Sequence, residues 1–255
     1  MVIIENKQMN KIPLLHIVKE ETQHDLLPLV IFIHGFTSAK EHNLHFAYLL
    51  ANRGFRVILP ETLHHGEREQ GLSEQELYPQ FWKVVLTTIH EINSLKEYYC
   101  RKGLVNPDRI GLAGTSMGGV VTLGAMTQYP WIKAAVCLMG MPAFEQFSLW
   151  QLEKFKNQGF PLPFSEEQIA EQLAILRDYD VSLHPEKLAN RPLLFWHGKK
   201  DPIVPYQLSY QFFELVKQDY HQAPEKINFI TDEHSGHKVT REGLKATVEW
   251  FERFL

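Results

Sequence analysis

The sequence predicts an α/β architecture, a doubly wound, mostly parallel sheet with helices on both faces. Three observations carry that expectation. Short, mainly apolar runs recur at residues 29–34, 55–59, 110–113, 134–138, 193–197 and 227–230. Continuous hydrophobicity, as opposed to strict alternation, is what a strand covered on both faces requires. Segments of helical spacing lie between these runs, such as Phe81, Val84, Val85, Thr88, Ile89, Ile92, Leu95 and Tyr99. The resulting β-α-β-α-β-α-β order demands right-handed crossovers between parallel strands.

The elements follow in order. Residues 2–4 and 12–18 are apolar and β-branched, and predict an antiparallel hairpin at a sheet edge, where Pro13 is tolerated. Residues 19–28 are polar, close on Pro28 and predict a loop. The run 29–34 leads into Gly35-Phe36-Thr37-Ser38, then a helix with Leu44, Ala47, Tyr48 and Ala51 on one face and Gly54 as its stop. The strand 55–59 ends at Pro60, and its loop carries His64, His65, Gly66, Glu67 and Arg68. After the long amphipathic helix, Asn106-Pro107-Asp108 reads as a turn feeding the strand at 110–113. Residues 141–190 then break the rhythm. They are rich in aromatics (Phe144, Phe147, Trp150, Phe155, Phe160, Phe164) and are split by Gly159-Phe-Pro-Leu-Pro163. Ser165-Glu-Glu-Gln168 is a capping box, opening a helix with Ile169, Leu173 and Leu176 on one face. Roughly fifty residues is long for a simple crossover. The expectation is therefore one domain over 1–255 with 141–190 as a helical cap insertion; two ordinary connecting helices with their own core are the alternative. Leu208, Phe212 and Leu215 mark the helix after strand 193–197, and Leu244, Val248, Phe251 and Leu255 mark the last helix.

Composition bounds the function. A chain of 255 residues, 44% hydrophobic and 22% charged, can bury a sizeable core. A formal net charge of -4, with no Lys/Arg-rich block, argues against nucleic acid and anionic membrane surfaces as partners. Residues 1–10 include Glu5 and Lys7 and no apolar core, so they do not read as a signal peptide, and no run approaches transmembrane length. Cys100 and Cys137 suggest neither a disulfide framework nor a metal site. Reduced thiols and a cytoplasmic location are expected.

The chemistry centres on Gly114-Thr-Ser116-Met-Gly118, a G-x-S-x-G between an apolar strand and a helix carrying Val120, Val121, Leu123, Ala125 and Met126. In that context the motif is a nucleophile elbow. The glycines two residues before and after Ser116 must be small, because side chains there would meet the neighbouring strand and helix. A serine hydroxyl needs a base, and the base an orienting acid. In an open α/β sheet such groups sit just past strand C-termini. Asp201, after strand 193–197, and His237, after the last strand, meet that condition; His234, Asp232 and Asp180 are the competitors. Two preorganised N–H donors are needed for a developing oxyanion. The N–H of Met117 supplies one and that of Phe36 the other, with Gly35 letting the backbone come close. His34 reads as an anchor for its loop. His42 and His45 at i, i+3 spacing read as a surface helix, and His64-His65-Gly66-Glu67 as a segment near the pocket; neither predicts a metal.

His34-Gly35-Phe36, the stretch from Asp108 through Gly114-Thr-Ser116 to Gly119, His197-Gly-Lys-Lys-Asp201-Pro-Ile-Val-Pro205 and Ser235-Gly-His237 together resemble the α/β-hydrolase superfamily. In detail they look most like bacterial esterases of its dienelactone hydrolase and prolyl-oligopeptidase-like branch. The resemblance spans residues 29–255. It implies Ser116 as nucleophile, His237 as base, Asp201 as acid, and Phe36 and Met117 as oxyanion donors. Two departures matter. Dienelactone hydrolases use a cysteine where this chain has Ser116. The oligopeptidases carry a large N-terminal propeller, whereas only roughly 28 residues precede the first core strand here. The expected function is a serine carboxylesterase acting on a small-molecule ester without a cofactor. A thioesterase, amidase, peptidase or C–C hydrolase with the same triad is the alternative, and a non-catalytic binding protein a third reading. An imidazole base predicts activity lost on the acid side of pH ~6.5, the reference histidine value.

Overall fold

The computed structural model describes residues 1–157 and 164–255. The glycine- and proline-bearing interruption at 159–163, with Phe160, lies outside the described residues. The strands are β1 (Val2–Met9), β2 (Ile12–Lys19), β3 (Leu27–Ile33), β4 (Arg56–Pro60), β5 (Val105–Thr115), β6 (Ala134–Leu138), β7 (Leu193–Gly198) and β8 (Ile227–Asp232). The helices are α1 (Leu44–Asn52), α2 (Glu74–Leu77), α3 (Phe81–Arg101), α4 (Met117–Gln128), α5 (Phe144–Asn157), α6 (Glu166–Arg177), α7 (Tyr206–Val216) and α8 (Arg241–Phe254). The strands form one sheet in the order β1-β2-β4-β3-β5-β6-β7-β8. β2 pairs antiparallel with β1 and β4, and every other pairing is parallel. This is the doubly wound, mostly parallel sheet that the apolar runs require.

Two cores flank the sheet. On one face α1 and α8 pack Phe46, Leu50 and Phe251 against Val30, Phe32, Val136 and Trp196. On the other, α3, α4 and α7 pack Ile89, Val121 and Phe212 against Ile31, Leu112 and Phe195. Residues Met117–Thr127 of α4 are all buried, so this helix has no polar face to betray its period. Close packing also fixes small residues. A Cβ on Gly111 would overlap the Phe251 ring. Because that ring is fully buried, Phe251→Ala would cost about 3–5 kcal/mol.

Three strand boundaries and one helix face differ from the sequence expectation, each for a local reason. The hairpin is longer, with β1 running through polar residues to Met9, because one face of an edge strand is solvated. It turns at Asn10 and Lys11, both with positive φ (49° and 68°), as two-residue hairpin loops favour. β3 begins at Leu27 and so includes Pro28, which sits where the register shifts between Leu27 and Leu29. β5 begins at Val105, so Asn106-Pro107-Asp108 lies within its bounds; Asn106 Oδ1 still accepts the Asp108 N–H (3.0 Å), a local turn inside the strand. Tyr48 is exposed, since the stripe of α1 that faces the sheet is Phe46, Ala47, Leu50 and Ala51.

Between β6 and β7 stand α5 and α6. Ser165 and Gln168 form the expected capping box, with reciprocal backbone hydrogen bonds of 3.2 and 2.9 Å. Asp180 accepts the Glu145 N–H (2.9 Å) and Arg177 pairs with Glu145, which ties the chain after α6 back to the start of α5. Cys100 and Cys137 are unpaired, and burial pushes the Cys137 thiol up to about 12. Among the described residues no helix is long and apolar enough to cross a membrane.

Candidate active site

Ser116 stands between β5 and α4 with φ 54° and ψ −114°, a conformation that costs a non-glycine residue about 1–3 kcal/mol. Its surroundings hold it there. Its N–H donates to Leu138 O (2.8 Å) and its carbonyl accepts the Val120 N–H (3.0 Å). A Cβ on Gly114 would fall on the Gly118 backbone, and one on Gly118 would fall on the Ile33 carbonyl. Both glycines are therefore demanded by space alone. Gly35 lies so close that a Cβ there would be 3.5 Å from Ser116 Cβ.

The loops after β7 and β8 are zipped together by backbone. Lys199 N–H donates to Asp232 O (2.8 Å) and Lys200 N–H to Ser235 O (3.0 Å). Gly198 permits this approach, because a Cβ there would strike the carbonyls of Ser235 and Gly236. Asp232 Oδ1 accepts the N–H groups of His234 and Ser235 (3.0 and 2.9 Å), which shapes the turn before His237. Asp201 and His237, 36 positions apart, thereby meet.

The Asp201 side chain is fully buried. Its Oδ1 accepts the N–H groups of Ile203 (2.8 Å) and Val204 (3.0 Å), and its Oδ2 lies 2.7 Å from His237 Nδ1. His237 Nε2 lies 2.8 Å from Ser116 Oγ. His197 Nε2 approaches the same Asp201 oxygen (3.2 Å) while donating to Val204 O (3.1 Å). Burial opposes ionisation of Asp201, but hydrogen bonds from His197, His237 and the Val204 N–H outweigh it and hold the carboxyl well below the usual range. An ionised carboxylate only accepts hydrogen bonds, so Nδ1 of His237 carries the proton. Nε2 is then left as an acceptor facing the serine hydroxyl. The competitors have other employment: Asp232 and Asp180 cap backbone N–H groups, and His234 is exposed on the loop.

Phe36 and Met117 flank Ser116 along a cavity of about 480 Å³. Phe81, Trp82, Val120, Phe147 and Trp150 form much of its wall. Of the aromatics of α5, Phe147, Trp150 and Phe155 line it, while Phe144 sinks into the core. Tyr78, Phe81 and Trp82 were missed as wall residues; Phe81 reads in sequence only as the start of a helix face.

His34 anchors its loop, with Nδ1 2.8 Å from Gly35 O and Nε2 accepting the Thr62 N–H (3.1 Å). His42 meets Ser38 Oγ (2.9 Å) and His45 lies against the Phe46 ring. Among the described residues, carboxylates of Glu41, Glu61 and Glu67 converge as a metal site would. The Lys40 ammonium already sits among them, 2.7, 3.1 and 2.5 Å from their oxygens. Burial raises the Glu61 carboxyl, yet its neighbours, the Lys40 ammonium among them, bring it down to about 2.

Comparison with known proteins adds three kinds of likeness. The profile of the prolyl oligopeptidase family matches residues 42–255. YitV of Bacillus subtilis (strain 168), provisionally named an esterase, is 52% identical over the full length of both chains. The esterase YjfP of Escherichia coli (strain K12) is 30% identical, again over the whole of both. The crystal structure of TT1662 from Thermus thermophilus superposes with a TM-score of 0.75 at 22% identity, covering 99% of this chain and 98% of that one. That last likeness concerns the fold.

Proposed function

The chain belongs to the prolyl oligopeptidase family and is a hydrolase of the α/β-hydrolase fold, and from that premise we propose that it is a serine carboxylesterase. The observation that carries the reading is the continuous relay from Ser116 Oγ through His237 to buried Asp201, at 2.8 and 2.7 Å. Ser116 attacks the ester carbonyl as His237 Nε2 takes its proton. Ionised Asp201 keeps the imidazole in the right tautomer and stabilises the imidazolium that forms. The N–H groups of Met117 and Phe36 receive the developing oxyanion, the first reinforced by the N-terminus of α4. His237 then protonates the leaving alcohol, and water repeats the cycle on the acyl-enzyme. The aromatic cavity beside Ser116 supports an apolar substrate portion. In the same reading α5 and α6 serve as the cap of a single-domain chain, the triad needs no cofactor, and the enzyme works in the cytoplasm on small-molecule esters without nucleic acid or membrane partners.

The test is hydrolysis of p-nitrophenyl esters from acetate to palmitate by the wild type and by Ser116→Ala. The reading expects turnover that falls by at least ~10³-fold in the variant. Equal inertness of both proteins would sink it. The family's name makes amide cleavage the second reading. Matched oxygen esters, thioesters and anilides assayed side by side separate the two, since ester preference is expected.

A further inference from the structure

We propose that His65 is a positioning residue for the oxyanion-binding loop: it holds the Thr37 N–H and so aims the neighbouring Phe36 N–H at the carbonyl attacked by Ser116. The inference rests on the esterase reading of the site. Thr37 has φ 60°, a conformation that a β-branched residue adopts only when its surroundings hold it there. The restraint is visible. Thr37 N–H donates to His65 Nε2 (3.0 Å), across 28 positions of sequence. His65 Nδ1 lies 2.7 Å from Leu63 O, an acceptor that only an N–H can satisfy. Nδ1 therefore carries the proton, and Nε2 is the free lone pair that Thr37 needs. The ring is 3% exposed and stands edge-on to Phe36, with centroids 5.2 Å apart.

The stitch is reciprocal. While His65 takes an N–H from the loop after β3, His34 of that loop takes the Thr62 N–H from the loop after β4 (3.1 Å). Each loop lends one imidazole and one backbone donor to the other. Thr37's own N–H is committed to His65, which leaves the preceding N–H, that of Phe36, as the loop's donor toward Ser116. An oxyanion donor is effective only if it is already aimed before charge develops. With Gly35 on one side and strained Thr37 on the other, the loop would lose that aim without the imidazole. His65 touches no reacting atom, so its effect is on the geometry of Phe36 alone.

The experiment compares wild type with H65Q, H65N and H65F. Gln sets a side-chain oxygen where His65 has Nε2, Asn reaches only the Nδ1 position, and Phe keeps the ring without an acceptor. Two rates are read: p-nitrophenyl butyrate hydrolysis and phosphonylation of Ser116 by a fluorophosphonate, with Tm recorded for each variant. H65N and H65F are expected to lose ~10–100-fold in kcat with KM within about twofold, the scale of a small misplacement of a catalytic donor. Phosphonylation should slow in proportion, and H65Q should stay within about fivefold of wild type by either rate. Equal losses in H65Q and H65N, an effect confined to KM, or full kcat in folded H65F would each overturn the proposal. If H65F does not fold, the Gln–Asn comparison decides. A wild type that is labelled but hydrolyses no ester ends the ester reading and leaves the labelling rates to judge His65. A wild type that is neither labelled nor active overturns both.

Discussion

Two buried carboxylates stand at the C-terminal ends of this sheet, and they have opposite surroundings. Glu61 follows β4 and Asp201 follows β7. Both side chains are fully buried, both lie against histidine, and both are held well below the ordinary carboxylate range. Glu61 spends its oxygens on the Lys40 ammonium and on backbone N–H groups, all inside the protein. Asp201 spends one oxygen on backbone and the other on His197 and on His237, which is 23% exposed and faces a strained serine. A low carboxylate pKa marks both sites equally, so it does not separate structure from chemistry. What separates them is whether the proton path from the carboxylate ends at a nucleophile.

The strongest way to break that contrast is to remove the nucleophile and base together. Ser116→Ala and His237→Ala should each cost roughly 10⁵–10⁶ in kcat, and the double variant should be no worse than either, because such groups act as a unit. Single-turnover assays of the three proteins check this, and additive losses would count against a relay. Asp201→Asn should cost about 10⁴ in kcat with little change in KM, since an amide no longer holds the correct imidazole tautomer. Glu61→Gln sharpens the comparison from the other side. It should leave kcat within about tenfold while lowering stability in urea unfolding by about 3 kcal/mol, the lower end for breaking a buried ion pair, as Lys40 keeps Glu41 and Glu67.

Acid behaviour gives a further separation. The Glu61 carboxyl is lowered from 4.5 to about 2, so its contribution to stability is full above 4.5 and is lost as pH falls toward 2. Unfolding measured between pH 6 and 2 should therefore be less acid-dependent in Glu61→Gln than in wild type. The smallest expected effect belongs to the cavity wall. Trp150→Ala should raise KM for longer acyl esters by roughly three- to tenfold, the value of one to two methylenes of apolar contact, and leave acetate esters alone.

Much of this was legible in the sequence because the controlling forces are local. Six short, mainly apolar runs give the strands of the parallel sheet, Gly114 and Gly118 give the elbow, and the positions just past the strands at 193–197 and 227–230 give Asp201 and His237. Where the reading slipped, a local signal had been overruled. Polar residues 5–8 hid an edge strand, Pro28 and Pro107 looked like strand boundaries yet sit at irregular places within strands, and Tyr48 fits a helical face that turns away from the sheet. Sequence also flagged the aromatics of α5, but not Tyr78, Phe81 and Trp82, which share the cavity wall with them.

By itself, then, the sequence determined the strand and helix pattern, the strained serine turn and the candidates for base and acid, since each follows from residue size, period or chain order. Tertiary structure alone decided which histidine does what. Five buried or partly buried histidines lie at strand ends, and nothing in their residue type distinguishes them. His237 faces Ser116, His197 sits behind Asp201, and His34 and His65 bind backbone N–H groups across two loops, while His64 lies beside Gln70. A histidine's role is set by which groups face its two nitrogens, and those groups arrive from segments tens to more than a hundred residues away.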